Sequence, residues 1–343
     1  MVDDMADHPI VTRRSGEQAC VVLKKSLDLQ FGRISASTKI LPSSLPTTSL
    51  ERLAPENSKT ILYLAYGSNL SAETFKGNRG IKPISAINVH VPSLNLTFDL
   101  AGIPYTEPCF ANTSFRKVPT QSPATSKEYG WHKGLVGVVY EVTPEDYRTI
   151  IATEGGGASY TDIVVECYAL PPGKKVVDAE PSGATFKAHT LYSPRDGNKS
   201  SRPDPDYAQA SARYLKLLTD GGEEHCLPDE YMAYLHNLQP YTITTYRQSV
   251  GKYIFATLWM PIIMAFFGLG KVLADDGGKV PTWLAKLYAI LFWALWLSYD
   301  NFFKPLYGDG ERTINEGDEE AGLWAVQKHE KTKGSWCEKR GPL

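Results

Sequence analysis

The sequence predicts an α+β domain over residues 59–245 followed by a hydrophobic helical hairpin at 250–303. Three observations predict it. Five runs with a period-two or solid apolar pattern read as strands of a half-buried sheet. Segments with helix start signals lie between and after them. Beyond residue 250 the composition turns abruptly apolar. A chain of 343 residues with 42% hydrophobic content can build such a core and still carry appendages.

Residues 1–58 alternate acidic, basic and Ser/Pro/Thr-rich stretches, with "CVVL" as a short apolar run, and are expected to form a flexible arm. No apolar signal-peptide core follows a basic start, and Asp3, Asp4, Asp7 and Glu17 do not suit an organelle transit peptide. Strands are expected at 61–66, 86–98, 134–142, 163–170 and 185–192. Between the third and fourth, Thr143 caps a short helix, Pro144 takes its first position and Asp146 lies three residues past the cap. That helix stops after Glu154, at Gly155, Gly156 and Gly157. Further helices are expected at 206–219 and at 228–239, the second opened by Pro228, Asp229 and Glu230.

The run "YIFATLWMPIIMAFFGLG", 253–270, carries no charge between Lys252 and Lys271, which suits a bilayer-spanning helix. Pro261 in its middle is tolerated in such a setting. A second run, 283–299, is rich in Trp and Tyr, with Lys286 placed to snorkel to the interface. The alternative is a buried hairpin of a soluble domain; the lack of a polar face favours the membrane. A two-helix hairpin returns both flanks to one side, leaving 304–343 as a polar tail. Flanking charges do not decide the side, since Arg247, Lys252 and Lys304 oppose Lys271 and Lys279 in the loop.

With 36 basic and 38 acidic residues the chain has no basic field for nucleic acid. Cys20, Cys109, Cys167, Cys226 and Cys337 show neither disulfide nor zinc spacing, which fits a reducing compartment. Glycosylation acceptors occur at Asn69, Asn95, Asn112 and Asn198. The first overlaps a candidate site where a glycan would block any ligand, so the α+β domain is expected to face the cytosol.

Two features carry chemistry. Tyr66-Gly67-Ser68-Asn69 ends a strand just before a helix, where free backbone N–H groups and a helix start suit a carboxylate or phosphate. It lacks the Lys of a P-loop, and plain turn chemistry is the alternative. In "ATEGGGASY", Glu154 ends a helix beside three glycines, approachable by a substrate and at a helix terminus that disfavours its charge, as a general base requires. The alternative is an ordinary glycine-capped helix end.

Taken together, the tetrad with Leu70, the stretch "GLVGVVYEVTPEDYRTIIATEG" ending on Glu154, then Tyr160, "HTLYS" with Tyr192, "RPDPDYAQ" with Tyr207 and "CLPDEYMAYLHNLQP" resemble the γ-glutamylcyclotransferases of the AIG2-like superfamily. Fungal members of gliotoxin-type biosynthesis, which act on glutathione adducts, are among those relatives. The resemblance covers about 60–240. It implies a small mixed β-barrel with surrounding helices, no cofactor, no metal, and a small-molecule γ-glutamyl substrate converted to 5-oxoproline and a free amine. Glu154 would be the general acid/base. Backbone N–H groups of Gly67, Ser68, Asn69 and Leu70 would hold the carboxylate or oxyanion, and Tyr66, Tyr160, Tyr192 and Tyr207 would shape the pocket. A homodimer is compatible with it. "IATEG" departs from the acidic-rich run of many relatives, and the insertion "KEYGWHKG" and segment 171–184 alter the rim. Competing expectations are an inactive membrane-anchored binding protein of the same fold and an enzyme for a γ-glutamyl-lysine type isopeptide.

Overall fold

The computed structural model describes residues 45–53, 59–116, 131–154, 160–194, 202, 204, 206–273 and 280–314. Five strands close a barrel in the order β1 (Ile61–Ala65), β5 (Leu135–Val142), β2 (Ser85–Val91), β6 (Thr161–Ala169) and β7 (Thr185–Tyr192). β1 and β7 seal it in parallel through Tyr63 and His189, and the other pairings are antiparallel. A ribbon of β3 (Leu94–Ile103) and β4 (Glu107–Phe115) stands beside it. The α+β class and the barrel agree with expectation.

β5 is buried along its whole length, and its period-two alternation divides the core. Leu135 and Val139 join one apolar cluster with Leu64, Val89 and Leu218; Val136, Val138, Tyr140 and Val142 join another with Phe75, Ile150 and Tyr231. Each such side chain contributes about 1.5–3 kcal/mol by leaving water. Helix α1 (Pro144–Thr153) starts as expected, with Thr143 accepting from the Asp146 amide at 3.1 Å. Helix α3 (Asp229–Asn237) also lies where expected.

Three expectations need correction. The run 86–98 is two strands, β2 and the start of β3, because Pro92 and Ser93 make a turn inside a continuous apolar alternation. β4 was not expected, since "EPCFANTSF" mixes Pro with polar residues. The helix expected at 206–219 is α2 (Ala212–Glu224), set by Ser211 accepting from the Tyr214 amide at 3.0 Å. Part of the N-terminal arm is also built into the fold. Thr48 bonds Ser85 at 2.7 Å and Leu53 is buried, while the rest of 1–58 lies largely outside the described residues.

The apolar runs form α4 (Tyr246–Leu273) and α5 (Thr282–Ser298), the latter continued by a π-helical turn at Tyr299–Phe303 and a short helix at Lys304–Tyr307. Among the described helices, α4 is the one long and apolar enough to cross a membrane, with mean hydropathy 1.8 in the most apolar 18-residue window of Tyr246–Gly270. Phe255, Met260 and Ile263 pack with Leu291, Leu295, Trp296 and the ribbon-tip residues Ile103 and Tyr105. Leu258, Ile262, Leu269, Leu287, Ile290 and Trp293 stay exposed.

Residues 304–314, assigned by composition to a polar tail, return to the α+β domain. The buried Asp309 carboxylate accepts from the Tyr207 hydroxyl, from Lys304 at 2.8 Å and from the Glu311 and Arg312 amides at 2.7 and 2.9 Å. Its carbonyl accepts from Gln248 of α4 at 2.7 Å. Arg202 bonds Glu311 and Asp300 together, and Tyr105 donates its amide to Gly310 at 2.8 Å.

Candidate active site

The site gathers where β1 runs out. Tyr66 follows the strand, Gly67 turns the chain, and Ser68–Leu70 form a 3-10 turn leading into a π-helical segment at Glu73–Asn78. A narrow cleft open to solvent lies there, about 330 Å³ when the solvent-open space is counted, lined by the tetrad, Tyr63, Ala111 of β4, Glu154, Tyr160, Leu191 of β7 and Tyr214 of α2.

Glycine is needed at 67 for close approach: a Cβ there would stand 3.1 Å from the Tyr214 hydroxyl and 3.3 Å from Ala111 Cβ. The Tyr214 oxygen accepts from the Ala111 amide at 3.1 Å and is met by the Ser68 amide and hydroxyl. Leu70 is less available than expected, because its amide donates to the Gly67 carbonyl at 3.0 Å. Tyr66 donates its hydroxyl to the Leu191 carbonyl at 2.6 Å.

Glu154 caps the C-terminus of α1, its amide still bonded to the Ile150 carbonyl at 3.0 Å while its own backbone has left the helix. Asn69 Nδ2 donates to Glu154 Oε1 at 2.9 Å and to the Tyr63 hydroxyl at 2.9 Å. Arg79 Nη2 donates to the same Oε1 at 2.6 Å. Gly155, Gly156 and Gly157 lie outside the described residues.

Four phenols line the cleft in neutral form. Burial pushes Tyr63, Tyr66, Tyr160 and Tyr214 well above the ordinary tyrosine value, and the charge of Glu154 adds to the shift of each. They therefore offer hydroxyl groups to a ligand.

Of the expected residues, Tyr66, Gly67, Ser68, Asn69, Glu154 and Tyr160 meet at this cleft. Leu70 is buried behind it, its carbonyl accepting from Tyr140 at 3.3 Å. Tyr192 and Tyr207 do not line it. Tyr192 stacks edge-on against Phe115, and Tyr207 binds Asp309 in the return segment beneath Lys304. Sequence reasoning missed Tyr63, Ala111, Leu191, Tyr214 and Arg79. Residues 70 and 71 do have a legible support in the paired glycines of "TDGGEEH": Gly221 lets α2 lie directly on the Leu70–Ser71 backbone.

The gamma-glutamyl cyclotransferase gliK of Aspergillus fumigatus is 33% identical to this chain over 260 residues, covering 73% of it and 89% of that protein. The chain belongs to the gamma-glutamyl cyclotransferase family. A second member, aclK of Aspergillus oryzae, is 30% identical over 269 residues, covering 76% of this chain and 94% of its own length. The family model described as the AclK C-terminal domain matches residues 245–306, the span of the apolar hairpin. A solved structure titled gamma-glutamyl cyclotransferase aligns at 20% identity and a TM-score of 0.37, covering 54% of this chain and 92% of its own.

Proposed function

We propose that this family member releases 5-oxoproline and a free amine or amino acid from a γ-glutamyl amino acid or a glutathione conjugate by intramolecular aminolysis. The observation that carries the reading is the meeting of the Glu154 carboxylate with the Tyr66–Asn69 turn, joined by the 2.9 Å bond from Asn69.

The α-amino group of a γ-glutamyl unit is mostly ammonium at neutral pH and cannot attack. Glu154 takes its proton. The freed nitrogen attacks the γ-carbonyl carbon, the ring C–N bond forms, and charge develops on the carbonyl oxygen. Backbone amides of Gly67 and Asn69, with that of Ser68 once it exchanges the Tyr214 oxygen for the ligand, would receive that oxygen or the substrate carboxylate, each well-placed donor being worth about 3 kcal/mol. Collapse breaks the original C–N bond as the departing nitrogen takes the proton back from Glu154. The second proton, which the new ring nitrogen must shed to become the lactam N–H, follows through the same carboxylate to the released amine, so the amine leaves as ammonium and the cycle neither consumes nor releases a proton. Nucleophile and electrophile share one molecule, so a cleft that holds it folded back supplies much of the rate. Neutral phenols of Tyr63, Tyr66 and Tyr160 fit a polar substrate that carries both charges at one end.

The exposed apolar faces of α4 and α5 are proposed to seat the protein in a membrane. Both ends of the hairpin return to the catalytic domain, so that domain would lie wholly on one side, which we take to be the cytosolic one. Two buried glycosylation acceptors, Asn69 and Asn112, suit a domain not exposed to the lumen. The full-length chain is expected to resist carbonate extraction; recovery in the soluble fraction would refute the anchor.

The catalytic test uses the full-length chain in detergent, since residues 299–314 complete the domain. Incubation with γ-glutamyl-alanine, glutathione, a bulky glutathione S-conjugate and γ-glutamyl-lysine is expected to yield 5-oxoproline from at least one. Glu154→Gln is expected to lower turnover at least about 100-fold in a protein that still melts cooperatively, at a lower temperature because Arg79 loses its charged partner. Turnover that persists in that variant removes the proposed base, and no product from any arm leaves a binding protein of the same fold.

A further inference from the structure

We infer that Arg79 is a positioning residue of the reaction, a two-pronged staple that holds one oxygen of Glu154 so that the other is left for the substrate proton. The inference rests on the reading of Glu154 as the proton-transfer group.

Both donors that reach Glu154 converge on Oε1: Arg79 Nη2 at 2.6 Å and Asn69 Nδ2 at 2.9 Å. Among the described residues nothing donates to Oε2. The second arm of the guanidinium, Nη1, reaches Thr153 Oγ1 at 2.5 Å, and Thr153 in turn donates to the Thr149 carbonyl at 2.8 Å. One planar group therefore grips the last residue of α1 and the carboxylate that follows it. This is geometry that a guanidinium fork provides and an ammonium does not. The pair is largely dry, with side-chain exposures of 12% for Arg79 and 18% for Glu154, so water competes little for it.

Local chain geometry explains why a staple is needed. Glu154 has φ −94° and ψ 47°, outside the helix, and the sequence continues with three glycines that offer no side chain to pack against it. Its direction must be set from elsewhere. Arg79 does so from the segment that carries the anion-binding turn: its amide closes the Glu73–Asn78 helix on the Thr74 carbonyl at 3.0 Å, ten residues after Asn69 in sequence. The turn that holds the substrate and the base that deprotonates it are thereby locked in one register.

Arg79→Ala and Arg79→Lys in the full-length chain test this with the best substrate of the panel. Arg79→Ala is expected to lose about 10- to 100-fold in kcat with KM changed by less than about threefold, the pattern of a misplaced reacting group. Guanidinium at tens of millimolar is expected to recover part of that rate, while equimolar sodium chloride recovers none. Arg79→Lys, which keeps charge and bulk and so preserves folding, is expected to show an intermediate kcat that guanidinium does not improve. A wild-type kcat in either variant, a loss confined to KM, or a loss in Arg79→Ala that guanidinium leaves untouched would overturn the staple. Glu154→Gln separates the two readings. If it stays active, both fall; if it is inactive while Arg79→Ala keeps a wild-type kcat, only the staple falls.

Discussion

Replacing Gly221 by alanine tests the packing under the tetrad with two opposed magnitudes. Within a helix, Gly→Ala is favoured by about 1 kcal/mol from propensity alone. In α2 the added methyl would stand 2.4 Å from the Leu70 carbonyl carbon, 2.5 Å from the Ser71 amide nitrogen and 2.6 Å from Leu70 Cβ. Backbone cannot swing aside as a side chain can, so helix or turn must move, and overpacking of this kind costs roughly 1–3 kcal/mol or more. The clash is expected to win. A net loss of about 1–2 kcal/mol corresponds to a melting point lower by about 2–8 °C for a domain of this size. Turnover should fall as well, because Leu70 and Ser71 adjoin Asn69. Gly222→Ala is the control: its methyl meets Met232 Sδ at 2.6 Å, the flexible part of a side chain, so propensity and crowding nearly cancel. Melting curves of both variants in detergent decide the matter. A Gly221→Ala protein as stable as the wild type would refute close packing of α2 on the turn.

Asp309→Asn removes the acceptor on which Tyr207, Lys304 and two backbone amides converge, and turns an NH₂ group towards donors. Breaking such a buried pair costs of order 3 kcal/mol, read as a denaturant midpoint. Burial alone would raise the Asp309 carboxyl, but Lys304, Tyr207 and the Glu311 amide outweigh it and hold it below the usual value. Its contribution is therefore complete above the unfolded value near about 4 and is lost as pH falls through the lower folded one, so the acid limb of stability should shrink in the variant. His225 works in a different window. Burial first, then the charge of Lys76, pulls it down to about 4, and its Nε2 meets the Tyr140 hydroxyl at 2.6 Å. Between about pH 4 and 6.5 the unfolded chain binds a proton that the folded one refuses, so stability should rise with pH across that range. His225→Gln should flatten the rise when midpoints are measured every half pH unit; an unchanged slope would place the titration elsewhere.

Much of the fold was legible because alternation in strands is local. β6 and β7 show it, β1 and β5 read as solid apolar runs, and Thr143–Asp146 announces its helix in four letters. Boundaries failed where two signals overlapped. The Pro92–Ser93 turn hides inside an unbroken apolar rhythm, and the polar face of β4 suppresses its pattern. At the site, the tetrad and Glu154 were legible only together, through the order of motifs that carries the family resemblance, since each alone reads as turn or helix-end chemistry. Arg79 and Tyr214 were not, since their pairings with residues 154 and 111 cross 75 and 103 positions of chain. Tyr207 shows the opposite failure. A motif placed it at the pocket, and the buried carboxylate of Asp309 claims it instead.

The return of residues 308–312 to the ribbon tip makes the apolar helices an insertion within the globular unit rather than a tag hung on its end. Gln248 in the first turn of α4 and Asp309 after the helices close on each other through the 2.7 Å bond, like the two ends of a clasp. During synthesis the barrel therefore emerges first but stays unfastened until both helices have left the ribosome. Completion of the globular unit must wait until both apolar helices have been made.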